Sequence, residues 1–307
     1  MSTLTIATGN YGVNRRFKAE DGRPAGFTLD HRPFDNILVA VRQMARTVNF
    51  DICEMPITTY LCAKACGKPL TALPVFLTRN FHHWALFCDT KSGVSGPKDL
   101  EGRTVGVNRG YTVTTGLWAR GILSAEYGVD LDSITWAATD EEHVAEFRAP
   151  ANVDYSFRGR DMLDMFARGE VVAAIGDIRT DAANIRPLIP DAREAGFAYY
   201  RKTGIYPVNH TVVVRDALLA ESPDLAPALF KALDASKDAY VASLDTISDP
   251  TPADSLAIAL RDGLGGDPFR NGVEANRPAL EALVKFAAEQ HITPVQYCVD
   301  ELFAVKG

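Results

Sequence analysis

The sequence predicts an α/β protein of two lobes, with mixed sheets flanked by helices and a ligand cleft between the lobes. Three observations carry this expectation. Strand and helix periodicities alternate in β-α-β order near the start of the chain and again in its middle. The two blocks are separated by Gly93-Val94-Ser95-Gly96-Pro97-Lys98-Asp99-Leu100-Glu101-Gly102, a stretch of turn formers suited to a passage between lobes. A β-branched run, Val208 to Val214, then follows Tyr206-Pro207 and extends a sheet. The expected division is a discontinuous first lobe, residues 1–90 and 206–307, with residues 91–205 inserted as the second.

Leu4 to Gly9 reads as a short strand that ends in the turn Gly9-Asn10-Tyr11-Gly12, and Phe27 to His31 reads as another extended piece. From Asn36 to Arg46 the apolar residues Ile37, Val41, Met44 and Ala45 recur at helical spacing, and Phe50 to Cys53 returns to strand. Pro56-Ile57-Thr58-Thr59-Tyr60 opens a helix through Ala65, with Thr58 or Thr59 as N-cap and Gly67 at the stop. Leu70 to Phe76 and His83 to Phe87 are buried-strand candidates. The second block has a strand at Thr104 to Val107, a helix at Thr114 to Tyr127 and a strand at Ile134 to Ala137. An amphipathic helix around Arg160 to Arg168 and a strand at Val171 to Ile175 complete it. After the β-branched run the chain is mainly helical, including Leu225 to Leu244 and Pro278 to Glu289.

With 307 residues, 47% hydrophobic and 23% charged, the chain has apolar material for two medium cores and no disordered character. A formal charge of −7 argues against nucleic acid or an anionic membrane as partner, because both require a large positive field. The segment Met1-Ser2-Thr3-Leu4-Thr5-Ile6-Ala7 runs directly into a strand without the features of an export signal, and no apolar run reaches membrane-spanning length. The expected location is the cytoplasm. The five cysteines are odd in number and mostly sit in apolar segments, as reduced core thiols do. Cys62 and Cys66 have a spacing that can serve a metal, but no second Cys or His pair follows at zinc-site distance. No nucleotide-binding glycine loop, metalloprotease helix or serine-hydrolase elbow occurs.

Four motifs in order are more specific: Thr78-Arg79-Asn80-Phe81-His82-His83, Asp99-Leu100-Glu101-Gly102-Arg103-Thr104-Val105-Gly106-Val107, Trp118-Ala119-Arg120-Gly121-Ile122-Leu123 and Ile205-Tyr206-Pro207-Val208-Asn209-His210-Thr211. With them the chain resembles the 4,5-dihydroxyphthalate decarboxylase family from Leu4 to about Leu244. The resemblance implies a type II periplasmic-binding-protein-like fold, a small aromatic carboxylate as partner and loss of CO₂ as the reaction. A His-His pair stands at 82 and 83, where the family pattern often has Arg at the first position, so the substrate can differ.

Arg79, just past an apolar strand, is the first choice of clamp for a carboxylate, since a guanidinium offers two parallel donors; an ion pair with a structural carboxylate is the plainer alternative. His82 and His83, if extended, point to opposite faces, so one is a candidate proton donor and the other packs. His210 lies in a β-branched strand, where an imidazole is costly without a partner; it or Asp177 is the candidate phenol-side partner. Tyr111, Thr112 and Thr114 lie in the turn before a helix, where free N–H groups receive anions or where Thr simply caps. Trp118 and Arg120 are two apart and cannot share a face, and Arg120 is favoured as the ligand contact. Arg179 is a further candidate contact, unless it pairs with Asp177; Thr58 and Thr59 complete the set at a helix mouth.

The expected chemistry is a carboxy-lyase reaction in which a phenol para to the departing carboxylate loses its proton while the ring carbon gains one. No cofactor is required by the sequence, and a divalent metal held by catechol oxygens with His or Asp is compatible with it. A homo-oligomer is equally compatible. The rival reading is a non-catalytic solute-binding or sensor protein using the same cleft; a third is a different enzyme on the same fold.

Overall fold

The computed structural model describes residues 3–19 and 22–307; Met1 and Ser2, on which the N-terminal reading partly rests, and Glu20 and Asp21 lie outside them. Among the described residues the strands are β1 (Thr3–Ala7), β2 (Thr28–His31), β3 (Ile52–Pro56), β4 (Leu70–Arg79), β5 (Leu86–Asp89), β6 (Thr104–Val107), β7 (Thr135–Ala138), β8 (Val153–Asp154), β9 (Ala173–Ile175), β10 (Ile185–Pro187) and β11 (Val208–Arg215). The helices are α1 (Arg15–Lys18), α2 (Ile37–Thr47), α3 (Ile57–Ala65), α4 (Thr114–Tyr127), α5 (Met162–Ala167), α6 (Ala192–Thr203), α7 (Asp216–Glu221), α8 (Leu225–Ser243), α9 (Pro252–Leu264) and α10 (Arg277–Glu289).

They form two mixed sheets in two compact units, the α/β architecture that the sequence predicts. The first unit holds the residues up to Arg79, Val208–Glu281 and Tyr297–Gly307. Its sheet has the order β2-β1-β3-β11-β4. β1 is parallel to β2 and β3, whereas β11 is antiparallel to both β3 and β4. Leu4, Ile6, Ile52, Val212 and Val214 from the sheet pack with Leu225, Leu229 and Leu233 of α8 in one apolar cluster. Burying such side chains contributes roughly 1.5–3 kcal/mol each. β4 carries Pro74 and a series of register irregularities against β11, both tolerated because β4 is an edge strand.

The second unit holds Asn80–Pro207 and Ala282–Gln296, with the sheet order β10-β5-β9-β6-β7-β8. Its cluster of Ala137, Met162, Met165, Phe166, Val171 and Ala174 joins α5 to the sheet. On α4, Gly121 is required by a close approach: a Cβ there would stand 2.3 Å from the Phe286 ring. The same ring meets Trp118 edge-on at 5.9 Å.

Several expected boundaries move. Residues 80–90 belong with the second unit, because β5 pairs with β9 and β10, and so do residues 282–296. The strand expected over His83–Phe87 begins as a 3-10 turn, His83–Ala85, before β5. Thr58 and Thr59 do not cap α3: Pro56 stands at the N-cap and both threonines are buried within the first turn. α2 starts as the pattern requires, with Asn36 Oδ1 accepting from the Leu38 N–H at 3.0 Å. Among the described residues no helix is long and apolar enough to cross a membrane.

Candidate functional site

The carboxyl ends of β1, β2 and β3 lie at one end of the first sheet, and β4, antiparallel to β11 as β3 is, ends there too. β11 begins at that same end: His210 is in register with Pro56 on one side and Thr78 on the other, and Val208 with Arg79. Open α/β sheets present ligand-binding groups beyond their carboxyl ends. The local sequence accordingly delivers polar residues there, with Thr8 to Tyr11 after β1, His31 ending β2, Glu54 near the end of β3 and Arg79 ending β4.

Glu54 is the centre of this group. It is 0% exposed in an otherwise apolar strand and accepts from the Gly9 N–H at 2.7 Å, the Tyr11 hydroxyl at 2.7 Å and His210 Nδ1 at 2.6 Å. Burial alone would raise its pKa, but the hydrogen bond and charge of His210, with the Gly9 and Tyr11 donors, bring it below the usual glutamate value. An ionised carboxylate only accepts, so His210 donates from Nδ1, and it is Nε2 that carries the lone pair whenever the imidazole is neutral. Tyr11, partly buried and bonded to an anion, is pushed far up and keeps its proton. Gly9 leaves room for this ring: a Cβ there would stand 2.5 Å from the Tyr11 oxygen.

Lys18 of α1 donates to the Thr8 carbonyl at 2.9 Å and to Asn10 Oδ1 at 2.6 Å. Partial burial lowers its pKa, and the charge of Glu54 opposes that in part. His31 meets Phe17 edge-on at 5.7 Å, and neither of its ring nitrogens has a hydrogen-bond partner among the described residues. Burial, then the charges of Lys18 and Arg23, holds it below the ordinary histidine value. Arg79 reaches the Arg270 carbonyl at 3.4 Å and lies 6.0 Å from the Phe76 ring centre. A cavity of about 540 Å³ within the first unit has Tyr11, Lys18, Arg79, Tyr240 and Leu260 in its wall. Glu54 and His210 do not line it; Tyr11 links them to it through its hydroxyl.

The candidates in the second unit fare differently. His82 and His83 are both 0% exposed, so neither is presented for proton transfer. His83 Nε2 pairs with Glu126 at 2.8 Å, and the ring packs on Phe81 and Tyr199. Burial lowers its pKa despite Glu126, and its Nδ1 has no hydrogen-bond partner among the described residues. The folded state therefore resists protonation that the unfolded chain accepts below 6.5. Stability should be full above that value and fall as the pH drops below it, so thermal midpoints should decline from about pH 7 to about pH 5.5. The decline should be shallower in His83→Gln; equal slopes would remove His83 as a cause.

The turn expected to receive an anion is filled by the protein itself. Glu142 accepts from the Tyr111 N–H at 2.5 Å, the Thr112 N–H at 3.0 Å, the Thr112 hydroxyl at 2.5 Å and the Tyr155 hydroxyl at 2.6 Å. Neither Thr112 nor Thr114 caps α4; Val113 holds that position, and Thr114 is buried as the first helical residue. Arg120, the expected ligand contact, is 0% exposed. Its Nε donates to Gln290 Oε1 at 2.8 Å and its Nη2 to the Tyr111 carbonyl at 2.8 Å, with the guanidinium 3.9 Å from the Tyr111 ring centre. It braces the turn rather than meeting a ligand. Asp177 and Arg179 pair with each other at 2.8 Å on the surface, 56% and 88% exposed, a geometry that contributes little to stability.

Of the sequence-predicted residues, Arg79 and His210 are thus brought together by adjacent strands of one sheet. Glu54 and Lys18 were missed. The signal for Glu54 was present, since a carboxylate inside Ile52-Cys53-Glu54-Met55 can be buried only with partners. Lys18 carried no comparable signal, because a lysine after a turn is ordinarily solvated. Among the described residues no three His, Cys, Asp or Glu side chains converge as a metal site.

Comparison with known proteins adds to this geometry. Residues 40–245 match the family model described as NMT1/THI5 like. A 4,5-dihydroxyphthalate decarboxylase of Comamonas testosteroni is 28% identical over 305 residues, covering 94% of this chain and 91% of that protein. One of Pseudomonas putida is 30% identical over 139 residues, 43% of this chain and 54% of that protein. Among solved structures, the periplasmic aliphatic sulphonate binding protein SsuA of Escherichia coli superposes with a TM-score of 0.57 at 13% identity, covering 99% of this chain and 92% of that one. At that identity the likeness carries the fold, which is that of periplasmic solute-binding proteins.

Proposed function

This chain belongs to the NMT1/THI5-like family, and from that footing we propose that it is a decarboxylase of a hydroxylated aromatic dicarboxylate, 4,5-dihydroxyphthalate or a close analogue. The observation that carries the reading is the buried Glu54 holding His210 by Nδ1, with Arg79 on the neighbouring strand. A carboxylate behind an imidazole sets the tautomer and steadies the imidazolium that forms when the outer nitrogen takes a proton. In 4,5-dihydroxyphthalate each carboxylate is para to a hydroxyl. His210 Nε2 takes the proton of that phenol, electron density rises at the para carbon, the carbon is protonated, and the bond to the carboxylate breaks with loss of CO₂. Arg79 grips the carboxylate that remains, through two parallel N–H donors. The sequence-based choice of His82 or His83 as proton donor, and of Asp177 as an alternative to His210, is set aside, because the first two are interior and the third is an exposed ion-paired residue. A cytoplasmic location belongs to the same proposal and is supported by five cysteines that form no disulfide.

The test is CO₂ release from 4,5-dihydroxyphthalate. The wild type should turn over; His210→Ala should lose about 10²–10³-fold in kcat, and Arg79→Ala about 10²-fold in kcat/KM, mainly through KM. Calorimetric binding without CO₂ release would identify a binding protein and overturn the reading, and full activity in both variants would remove this site from it.

A further inference from the structure

We propose that Lys18 is the proton donor to the ring carbon, an inference that rests on the decarboxylase reading above. Decarboxylation of a para-hydroxylated ring needs two proton movements on opposite edges of the ring, so one imidazole that serves the phenol cannot also serve the carbon without moving. A second proton carrier is required at the same end of the sheet. The groups gathered there are Tyr11, Lys18, His31, Glu54, Arg79 and His210. Glu54 is enclosed and already accepts three hydrogen bonds. Tyr11 spends its hydroxyl proton on Glu54. His31 sits beside the positive charges of Lys18 and Arg23, which favour its neutral form. Arg79 does not release a proton at any working pH.

Lys18 is the remaining group, and its geometry suits the role. Among the described residues two of its three N–H bonds are directed at the Thr8 carbonyl and Asn10 Oδ1, which fix the ammonium, and the third can meet a substrate. It shares a cavity wall with Arg79, and its charge interacts with Glu54, the partner of His210, so a ring whose retained carboxylate is held by Arg79 at the edge of the cavity nearest Glu54 lies beside both proton carriers. Tyr11, in the same wall, runs from this cavity to the carboxylate that orients His210. Partial burial makes the ammonium easier to deprotonate than a surface lysine, and the charge of Glu54 opposes that in part.

The step balances without an oxidant or reductant. His210 Nε2 removes the phenolic proton; the para carbon forms a C–H bond as a Lys18 N–H bond breaks; the bond from that carbon to the carboxylate then breaks, its electron pair returning to the ring as CO₂ departs. His210 gives its proton back to the phenolate, and solvent reprotonates Lys18. The net change is one proton taken up and one CO₂ released.

Lys18→Arg separates charge from proton donation, since a guanidinium keeps the positive charge and cannot yield a proton. With the full chain and 4,5-dihydroxyphthalate, Lys18→Arg should keep KM within about threefold and lose about 10²-fold or more in kcat. By microscopic reversibility, the wild type in D₂O should exchange the ring proton of the decarboxylated product at the carbon that lost CO₂, read as loss of one aromatic NMR signal. Lys18→Arg should bind the product and leave that signal intact, and Lys18→Ala should regain turnover with added small primary amines. Retained kcat and ring exchange in Lys18→Arg, with an active wild type, would overturn the role of Lys18 while leaving the decarboxylase reading in place. A wild type that neither releases CO₂ nor exchanges the ring proton would remove both.

Discussion

Glu54→Gln should lower kcat/KM for CO₂ release by about 10³-fold in a protein that stays folded. The Gly9 N–H bonds Oε2, whereas the Tyr11 hydroxyl and His210 Nδ1 share Oε1, so a carboxamide that keeps its oxygen for Gly9 turns its NH₂ toward both Tyr11 and His210. Its NH₂ group faces His210 Nδ1 instead of an anion. Nδ1 must then accept, the imidazole proton moves to Nε2, and the nitrogen offered to the phenol no longer has a lone pair. The imidazolium formed during turnover also loses the charge that steadies it. Glu54→Asp should recover part of the rate, because the anion returns on a shorter stem. Wild-type kinetics in Glu54→Gln, with the melting temperature unchanged, would reduce Glu54 to a structural acceptor and take the base away from His210.

The second large effect is on stability. Arg120→Met should destabilise the protein by about 3 kcal/mol, because a buried Gln290 Oε1 and the Tyr111 carbonyl each lose a charge-assisted donor and the Tyr111 ring loses its cation. The comparison that isolates the cause is Arg120→Met with Gln290→Leu, which removes the stranded amide as well as its partner. The Gln290 side chain also donates to the Leu117 carbonyl, a bond that leucine cannot make, so the double variant should remain less stable than wild type. It should nonetheless lose less than the sum of the two single changes. Denaturant midpoints with unchanged slopes would measure this; an Arg120→Met midpoint equal to wild type would show that the buried guanidinium does not hold the turn.

The two predictions sit on residues that the sequence presents in opposite ways. Arg120 in Trp118-Ala119-Arg120-Gly121 looks like a ligand-seeking cation, since Trp118 cannot occupy the same helix face. The structure covers both faces of α4, so both side chains are interior. Nothing local signals this, because whether a helix is enclosed on one side or on all depends on what packs around it. Glu54 shows the converse. It belongs to a short strand that reads as core, and it becomes the centre of the site only because β11 pairs with β3 and brings His210, 156 residues away, two positions along from its register partner Val212. The turn at Tyr111 and Thr112, expected either to receive an anion or to cap α4, directs its N–H groups at a carboxylate of the protein itself, Glu142.

Local periodicity and turn chemistry by themselves determined the β-α-β order, the extents of α4 and β6, and the presence of a histidine in β11 that needed a partner, since each of these is decided by neighbours within a few residues. Only the tertiary structure decided which unit owns residues 80–90 and 282–296, that His82, His83 and Arg120 are enclosed, and that Tyr11, Glu54 and His210 meet around one buried charge. The physical reason is that burial and pairing are properties of strand order and register. The sheet order β1-β3-β11-β4 brings distant segments side by side, and no pattern within any one segment specifies its neighbours.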